Sequence, residues 1–468
     1  MSGLPYPSYF EAWDHPRMVR EYPIGDDFFR LMRTISRDEL RALQEKRFLK
    51  LVERGWQIPF YRRRWQAKGI EAGDIRRLED CAKLPTYSKS DLMESMASYP
   101  PFGDFHGIDS FGRGGVRPPV VLHTTSGTTG MPQPLFFGPW SRELQNLMLA
   151  RVYHAAGLRP DDVVHSVYGH GMINGGHYVR ETVLHFTNSL FLSAGTGNET
   201  RSAQQVQLMK QFGVTVIIGF ADYIKKLAQV ADEEGIKPGR DIKIRLIIGH
   251  MGRESKEAIS EAWGGAQVYD WYGVGDTGLV AFEAPDRDGM YVMEDGHYLE
   301  ILDPDTNRPL ADGEQGNMCV TVLFKDDIYP CIRFDTKDVT AVKTAASPSG
   351  FNFRRIEGFL GRSDNMVKLR GINLYPIAIG AVVNEHPATA GEYICVATRD
   401  ATGRDELTIT VEVRDPADQA LREELRDRLK ARFGIDIQVD LAARGGTAHL
   451  TEVERRQKAI RLIDKRFS

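Results

Sequence analysis

Cysteine is scarce and dispersed in this chain, with Cys81, Cys319, Cys331 and Cys395 the only four among 468 residues. No C-x-x-C pair occurs, so neither a zinc site nor a dithiol redox motif is encoded. Reduced thiols of a cytoplasmic protein are the expectation. No apolar run is long enough to span a bilayer, so no membrane partner is expected. The opening residues M-S-G-L-P-Y-P-S-Y-F carry neither a basic flank nor a long apolar core, and no signal peptide is expected. Internal repeats and low-complexity segments are missing too. Positive charge is not in excess: the formal net charge is −4, which argues against a broad nucleic-acid surface. The three cations of Tyr61-Arg62-Arg63-Arg64-Trp65 read as a solvated helix face. What remains is the composition of a soluble globular protein, long enough to predict two or more domains.

The chain is organised around Leu122–Leu135, L-H-T-T-S-G-T-T-G-M-P-Q-P-L. Val120, Val121 and Leu122 lead in; Leu135, Phe136 and Phe137 lead out. Two such runs around a Ser/Thr/Gly loop predict adjacent strands with a long connection. Thr124, Thr125, Ser126, Thr128 and Thr129 crowd that loop with hydroxyls, and Gly127 and Gly130 add backbone freedom. Hydroxyls and exposed N–H groups can wrap phosphate oxygens. It is not a Walker loop, because no Gly-Lys-Ser/Thr comes after the glycines.

Residues 22–96 read mostly as helix, with Leu40, Leu43, Phe48, Leu49 and Leu51 at roughly helical spacing. From Arg151 onward, apolar runs at 162–167, 189–193, 214–219, 242–248 and 266–272 alternate with helical patterns such as 199–212 and 221–234. That alternation predicts an α/β layered domain with a largely parallel sheet. Residues 291–342 are strand-rich, with turns at Asp303-Pro304-Asp305 and Ala311-Asp312-Gly313, and read as an antiparallel β portion. After Gly361–Pro376, a strand at 408–413 and an amphipathic helix at 418–433 suit a small α+β domain. The expected fold is therefore α/β: a large multi-layer N-terminal domain, residues 1–361, and a small α+β C-terminal domain, residues 362–468.

Other constellations could carry chemistry. Gly273, Gly275 and Gly278 match G-x-G-x-x-G, but the next segments, Leu279–Phe282 and Tyr291-Val292, look extended where a dinucleotide site needs a helix. Asp276 in that turn could hold Mg²⁺ beside a nucleotide. Asp338 could accept both ribose hydroxyls, or serve as a turn aspartate. Lys458 falls in Arg455–Arg461, which by itself reads as a charged terminal helix with a solvated face. His170, Asn174 and His177, in Y-G-H-G-M-I-N-G-G-H-Y, could line a pocket for a flat, polar-substituted ligand. Their H-x₆-H spacing matches no common metal site.

In this order and spacing the signals resemble the adenylate-forming superfamily of acyl-CoA synthetases, adenylation domains and luciferases, and within it phenylacetate–CoA ligase-like enzymes. The likeness runs from I-P-F-Y at 58–61 through L-P at 84–85, T-S-G-T-T-G, Y-G-V-G-D-T, R-F-D-T-K-D and G-R-S-D-N to Q-K-A-I-R-L-I-D. It implies that ATP and an acid give an enzyme-bound acyl-adenylate and pyrophosphate, after which an acceptor, usually CoA, displaces AMP. On the matching positions, Thr125, Ser126, Gly127, Thr128, Thr129 and Gly130 would hold the phosphates, and Asp276 with Thr128 the Mg²⁺. Tyr272, Gly273 and Gly249 would surround adenine, and Asp338 and Arg362 the ribose. Asp364 would be the hinge of a mobile C-terminal domain that delivers Lys458, the catalytic lysine, to the acid oxygen and α-phosphate. Catalysis is thus expected from Lys458, Asp276 and Thr128.

The chain departs from that pattern where Asp276 replaces the usual Glu and Gly275 the usual Ser or Thr; Asn365 replaces a second Asp. His250 follows Gly249 where relatives carry a small residue. His170, Asn174, His177 and His250 make a more polar pocket than phenylacetate needs, so a hydroxy- or amino-substituted aromatic acid is the expected substrate. CoA is the default acceptor, with an amine or a carrier protein as alternatives and a homodimer as an option. Two rival readings are a diazotase-like enzyme joining nitrite to an aryl amine, and a catalytically weakened nucleotide-binding relative.

Overall fold

The computed structural model describes residues 8–108, 119–125, 132–369, 372–400, 403–453 and 459–466. It falls into two compact bodies, Met1–Ser193 with Asp270–Gly358, and Ala194–Tyr269 with Phe359–Ser468.

The first body begins with helices, as the spacing predicts. Arg37–Trp56 starts at a capping box: the Ser36 hydroxyl accepts from the Glu39 N–H, and the Glu39 carboxylate accepts from the Ser36 N–H. Its buried face carries Leu40, Phe48 and Leu51. In Pro59–Ala67, Tyr61 and Trp65 are buried, and Arg63 and Arg64 pair with Asp104 and Asp91. Those two cations are neutralised by local carboxylates, as a solvated helix face allows.

Val121–Thr124 and Pro134–Phe137 form the predicted hairpin, with Val121 opposite Phe137 and Thr124 opposite Pro134. The helix Pro139–Ala155 comes next and is buried along nearly its whole length, polar residues included. A buried polar group must find a partner inside; Arg151, for example, meets the Asp295 carboxylate at 2.8 and 3.0 Å. Val163–Ser166 and Leu190–Ser193 run parallel, and the helix Asn174–Phe186 supplies the crossover that a parallel pair requires.

Gln267–Val274, Gly278–Glu283, Met290–Val292 and Arg355–Ile356 form an antiparallel meander. Gly278 therefore opens a strand, and the dinucleotide reading is excluded by topology. His297–Leu302, Gly316–Val322 and Phe334–Thr340 pair antiparallel, the predicted β portion.

In the second body, the parallel strands Val216–Phe220 and Leu246–His250 alternate with the helices Ser202–Gln211, Ala221–Glu233 and Lys256–Ala262. Its other part is a mixed sheet in the order Gln438–Ala443, Asp405–Val413, Thr389–Arg399, Leu462–Asp464. The helices Pro376–Asn384 and Gln419–Phe433 pack on it through Ile379, Val383, Leu421, Leu425 and Leu429. The expected terminal helix is not seen in the described part of the tail, where Leu462–Asp464 is a strand. Residues 455–458 of that expected helix lie outside the described residues, 459–461 are not helical, and the strand after them pairs with Cys395–Ala397.

Candidate active site

The loop of the central hairpin, with Ser126, Gly127, Thr128, Thr129 and Gly130, lies outside the described residues, but its two flanks are clear. The Thr125 N–H donates to the Gln133 carbonyl at 2.9 Å, closing the hairpin foot. Three buried polar atoms there have no hydrogen-bond partner among the described residues: Thr125 Oγ1, Gln133 Oε1 and His123 Nε2. Native interiors rarely leave such atoms unpaired, so each calls for a partner outside the described residues or from a bound molecule.

Gln133 ties this foot to Asp276. Its Nε2 donates to Asp276 Oδ1 at 2.6 Å, and the Tyr329 hydroxyl donates to the same oxygen at 2.5 Å. Lys325 Nζ donates to the Asp276 carbonyl at 2.8 Å and lies 4.1 Å from the Tyr329 ring centroid. Burial pushes the Asp276 carboxyl above the usual carboxylate range, against the opposing pull of Tyr329, Lys325 and Gln133. Burial likewise lowers Lys325. Among the described residues no group of three or more His, Cys, Asp or Glu could enclose a metal ion. Mg²⁺ bound through one carboxylate and the phosphates of its nucleotide needs no such cage. The shorter Asp276 is thus fixed by two neutral donors, and it fits a single-carboxylate Mg²⁺ role. Neither Gln133, Tyr329 nor Lys325 stood out in the sequence, because nothing in a Gln between prolines or in F-K-D-D-I-Y-P announces a contact made across the fold.

Tyr272 and Asp338 come from different sheets and meet directly: the phenol donates to Asp338 Oδ2 at 2.7 Å, and both residues are buried. The strand Gln267–Val274 carries Tyr272, and Phe334–Thr340 carries Asp338, whose N–H donates to Thr336 Oγ1. Gly273 has no room for a side chain, since a Cβ would overlap the carbonyl oxygen of Gly278 on the paired strand.

The histidine-rich stretch also assembles. Asn174 begins its helix, and its Oδ1 accepts from Arg142 Nη1 at 2.5 Å. His177 stacks on His123 with centroids 4.7 Å apart, and the His170 ring stands edge-on to His177 at 5.4 Å. His170 Nε2 and Ser193 Oγ are 2.7 Å apart. Burial, then the charge of Arg142, lower His123 to about 4, so its ring is neutral at neutral pH. His123 and Arg142 belong with this group, and the sequence reading overlooked them both.

Within the second body, Gly249 sits opposite Gly219, whose carbonyl oxygen a Cβ at 249 would overlap. Its lack of a side chain is a packing requirement of two close strands. His250 stacks on Phe220, 4.8 Å between centroids. Arg362 and Asp364 face each other in a bidentate pair at 2.7 and 2.6 Å, both partly exposed. Lys458 lies outside the described residues, which resume at Ala459. Arg461, three positions on, is not on a solvated face: it is largely buried between Asp222 and Glu392. Two acidic partners overcome the cost of burying it.

Comparison with known proteins identifies the family. Residues 116–322 match the model for AMP-binding enzymes, and residues 371–466 that for the AMP-binding enzyme C-terminal domain. A phenylacetate-coenzyme A ligase from Aromatoleum evansii is 30% identical over 448 residues, covering 92% of this chain and 96% of the relative. One from Thermus thermophilus is 31% identical over 447 residues, covering 88% and 95%. Among solved structures, 2-hydroxyisobutyryl-CoA ligase in complex with 2-HIB-AMP superposes with a TM-score of 0.81 at 28% identity, covering 93% of this chain and 92% of that one. Among the described residues no helix is long and apolar enough to cross a membrane.

Proposed function

Because this chain belongs to the AMP-binding enzyme family, in its branch of AMP-forming acid–thiol ligases of the phenylacetate-CoA ligase type, we propose that it adenylates a polar-substituted aromatic acid and transfers the acyl group to CoA. A carboxylate oxygen of the acid attacks the α-phosphorus of ATP. The bond to the β-phosphate breaks, and pyrophosphate leaves with the electron pair. The CoA thiolate then attacks the acyl carbonyl carbon, and AMP departs.

The observation that carries this reading is the continuous link Thr125–Gln133–Asp276, which ties the flank of the hydroxyl-rich loop to a buried carboxylate. A phosphate grip and a cation ligand are wanted side by side in such chemistry. Asp276 and Thr128 would hold Mg²⁺, which when bound offsets the charge of the triphosphate. Thr125, Ser126, Gly127, Thr129 and Gly130 would hold its oxygens. Tyr272, Gly273 and Gly249 would serve the adenine, and Asp338 and Arg362 the ribose. Lys458 would place its ammonium between the acid oxygen and the α-phosphate, a contribution of ~3–4 kcal/mol for one preorganised group. The division at residue 361, with Asp364 as the hinge of a moving C-terminal domain, belongs to the same proposal. Support for a polar acid comes from His123, His170, His177 and the Arg142–Asn174 pair.

The test is AMP release from ATP and Mg²⁺ with a panel of acids: phenylacetate, hydroxy- and aminobenzoates, and 2-hydroxyisobutyrate. CoA is present or withheld, and products are identified by mass. Turnover fastest with a substituted aromatic acid, yielding a thioester, is expected. Preference for the small hydroxy acid would overturn the aromatic assignment. A diazo compound from nitrite and an aryl amine would overturn the whole reading.

A further inference from the structure

The second body contains a buried ion cluster to which neither half-reaction assigns a role. Asp222 stands in the first turn of the helix Ala221–Glu233, and its Oδ1 accepts from Arg461 Nη2 at 2.7 Å. The same carboxylate accepts the backbone N–H of Ala459. Arg461 Nη1 donates to Glu392 Oε2 and to the Tyr393 carbonyl, both at 2.9 Å, and its guanidinium lies 4.4 Å from the Tyr393 ring centroid. Further along the helix, Lys225 Nζ donates to Glu254 Oε2 at 2.7 Å and reaches the Gly391 carbonyl at 3.4 Å. Burial pushes Asp222 up, but Arg461, Lys225 and the two hydrogen bonds more than reverse it, so its carboxyl is held below the usual range.

The partners fall on two sides of residue 361. Asp222, Lys225 and Glu254 precede it, whereas Glu392, Ala459 and Arg461 come after it. Glu392 and Arg461 lie where two strands pair, Cys395 opposing Leu462 and the Cys395 N–H donating to the Arg461 carbonyl, so their pair joins parts of one small sheet. Asp222 is different. It grips the tail at the residue immediately after Lys458 and again two residues later, one backbone and one side-chain contact on a single carboxylate.

Resting on the reading that Lys458 serves adenylation, we propose that Asp222 is a positioning residue for that half-reaction: by fixing Ala459 and Arg461 it sets where the chain presents Lys458. A carboxylate in the first turn of a helix is favoured there by the helix dipole. Geometry imposed from a distance matters, because a misplacement of about 1 Å typically lowers rate by about 10²-fold.

The experiment uses the full chain, with whichever panel acid gives AMP. Asp222→Asn is expected to slow single-turnover pyrophosphate release by about 10²-fold, with the KM for ATP and the reaction of supplied acyl-adenylate with CoA unchanged. Asp222→Glu restores part of the rate, and Glu392→Gln leaves both halves at the wild-type rate. Arg461→Lys is the second variant should Asp222→Asn not fold, with the same split expected. Equal slowing of both halves, or no slowing, would overturn the anchor. Lys458→Ala separates the premises. If it keeps normal pyrophosphate release the adenylation role itself falls; if it loses release while Asp222→Asn does not, only the anchor falls. Independently of any acid, hydrogen exchange of the amides at 459–464 is expected to quicken at least tenfold in Asp222→Ala but not in Glu392→Gln. Unchanged exchange in Asp222→Ala sinks the proposal.

Discussion

Tyr272 donates its phenolic hydrogen to Asp338 across 2.7 Å, joining two residues that lie 66 positions apart in the chain. The bond decides which face of the Asp338 carboxylate remains for a ligand. One oxygen is occupied by the phenol, and a diol bound at this carboxylate must share it or use the other. The tyrosine hydroxyl therefore orients the carboxylate beside it, whatever its ring does.

Tyr272→Phe removes that donor and leaves a buried carboxylate short of a partner. A hydrogen bond to a charged group contributes about 1.5–3 kcal/mol. The expected result is a KM for ATP raised about tenfold or more, with the KM for the acid unchanged, read from initial rates of AMP formation. An unaltered KM for ATP would detach the pair from nucleotide binding.

Asp276→Asn tests the cation role apart from the fold. The amide oxygen can still accept from Tyr329 and Gln133, so the melting temperature should stay within ~3 °C. Pyrophosphate release should fall by about 10²-fold or more, and raising Mg²⁺ should recover little of it. Full activity in this variant would exclude Asp276 as a metal ligand.

Gly249→Ala pushes a methyl into the carbonyl oxygen of Gly219, on the strand paired with it. Both contacting groups are backbone, so relief requires strand displacement. A loss of about 3 kcal/mol is expected, measured by urea unfolding, whether or not nucleotide is present.

His297 supplies a pH dependence. It is fully buried, and burial lowers it to about 4, against the pull of the Thr277 and Met293 carbonyls near its two ring nitrogens. Between its usual value near 6.5 and 4, the unfolded chain binds a proton that the native ring refuses. Stability therefore rises with pH across that window and is lost as pH falls below about 6.5. From about pH 7 to about pH 5 this one residue accounts for about 2 kcal/mol. His297→Gln should flatten the slope by that amount in urea titrations at the two pH values.

The hairpin at 121–137, the alternation from 163 to 250 and the β portion at 297–340 were legible, because each is written in local periodicity and turn chemistry. Thr125, Asp276, Tyr272 and Asp338 were legible as motif members. Gln133, Tyr329, Lys325, His123 and Arg142 were not. Their polar atoms acquire meaning only through partners up to 196 positions away, as in the 3.4 Å approach of Gln133 Nε2 to Tyr329 Oη. The tail is a partial case: residues 455–458 of the expected helix lie outside the described residues, and at Arg461, where a solvated face was expected, two carboxylates hold a largely buried guanidinium.

By itself the amino-acid order determined the family and the two-part α/β architecture, and it supplied the residues proposed for the nucleotide chemistry, since those depend on short patterns of hydroxyls, glycines and carboxylates. Only the tertiary structure decided how those residues are held. Asp276 is buried and fixed by neutral donors, Asp338 is shared with Tyr272, Gly249 is demanded by a neighbouring strand, and Arg461 is locked to Asp222. The reason is that burial and partnership alter a side chain's protonation, reach and freedom, and both are properties of distances that close only once the chain has folded.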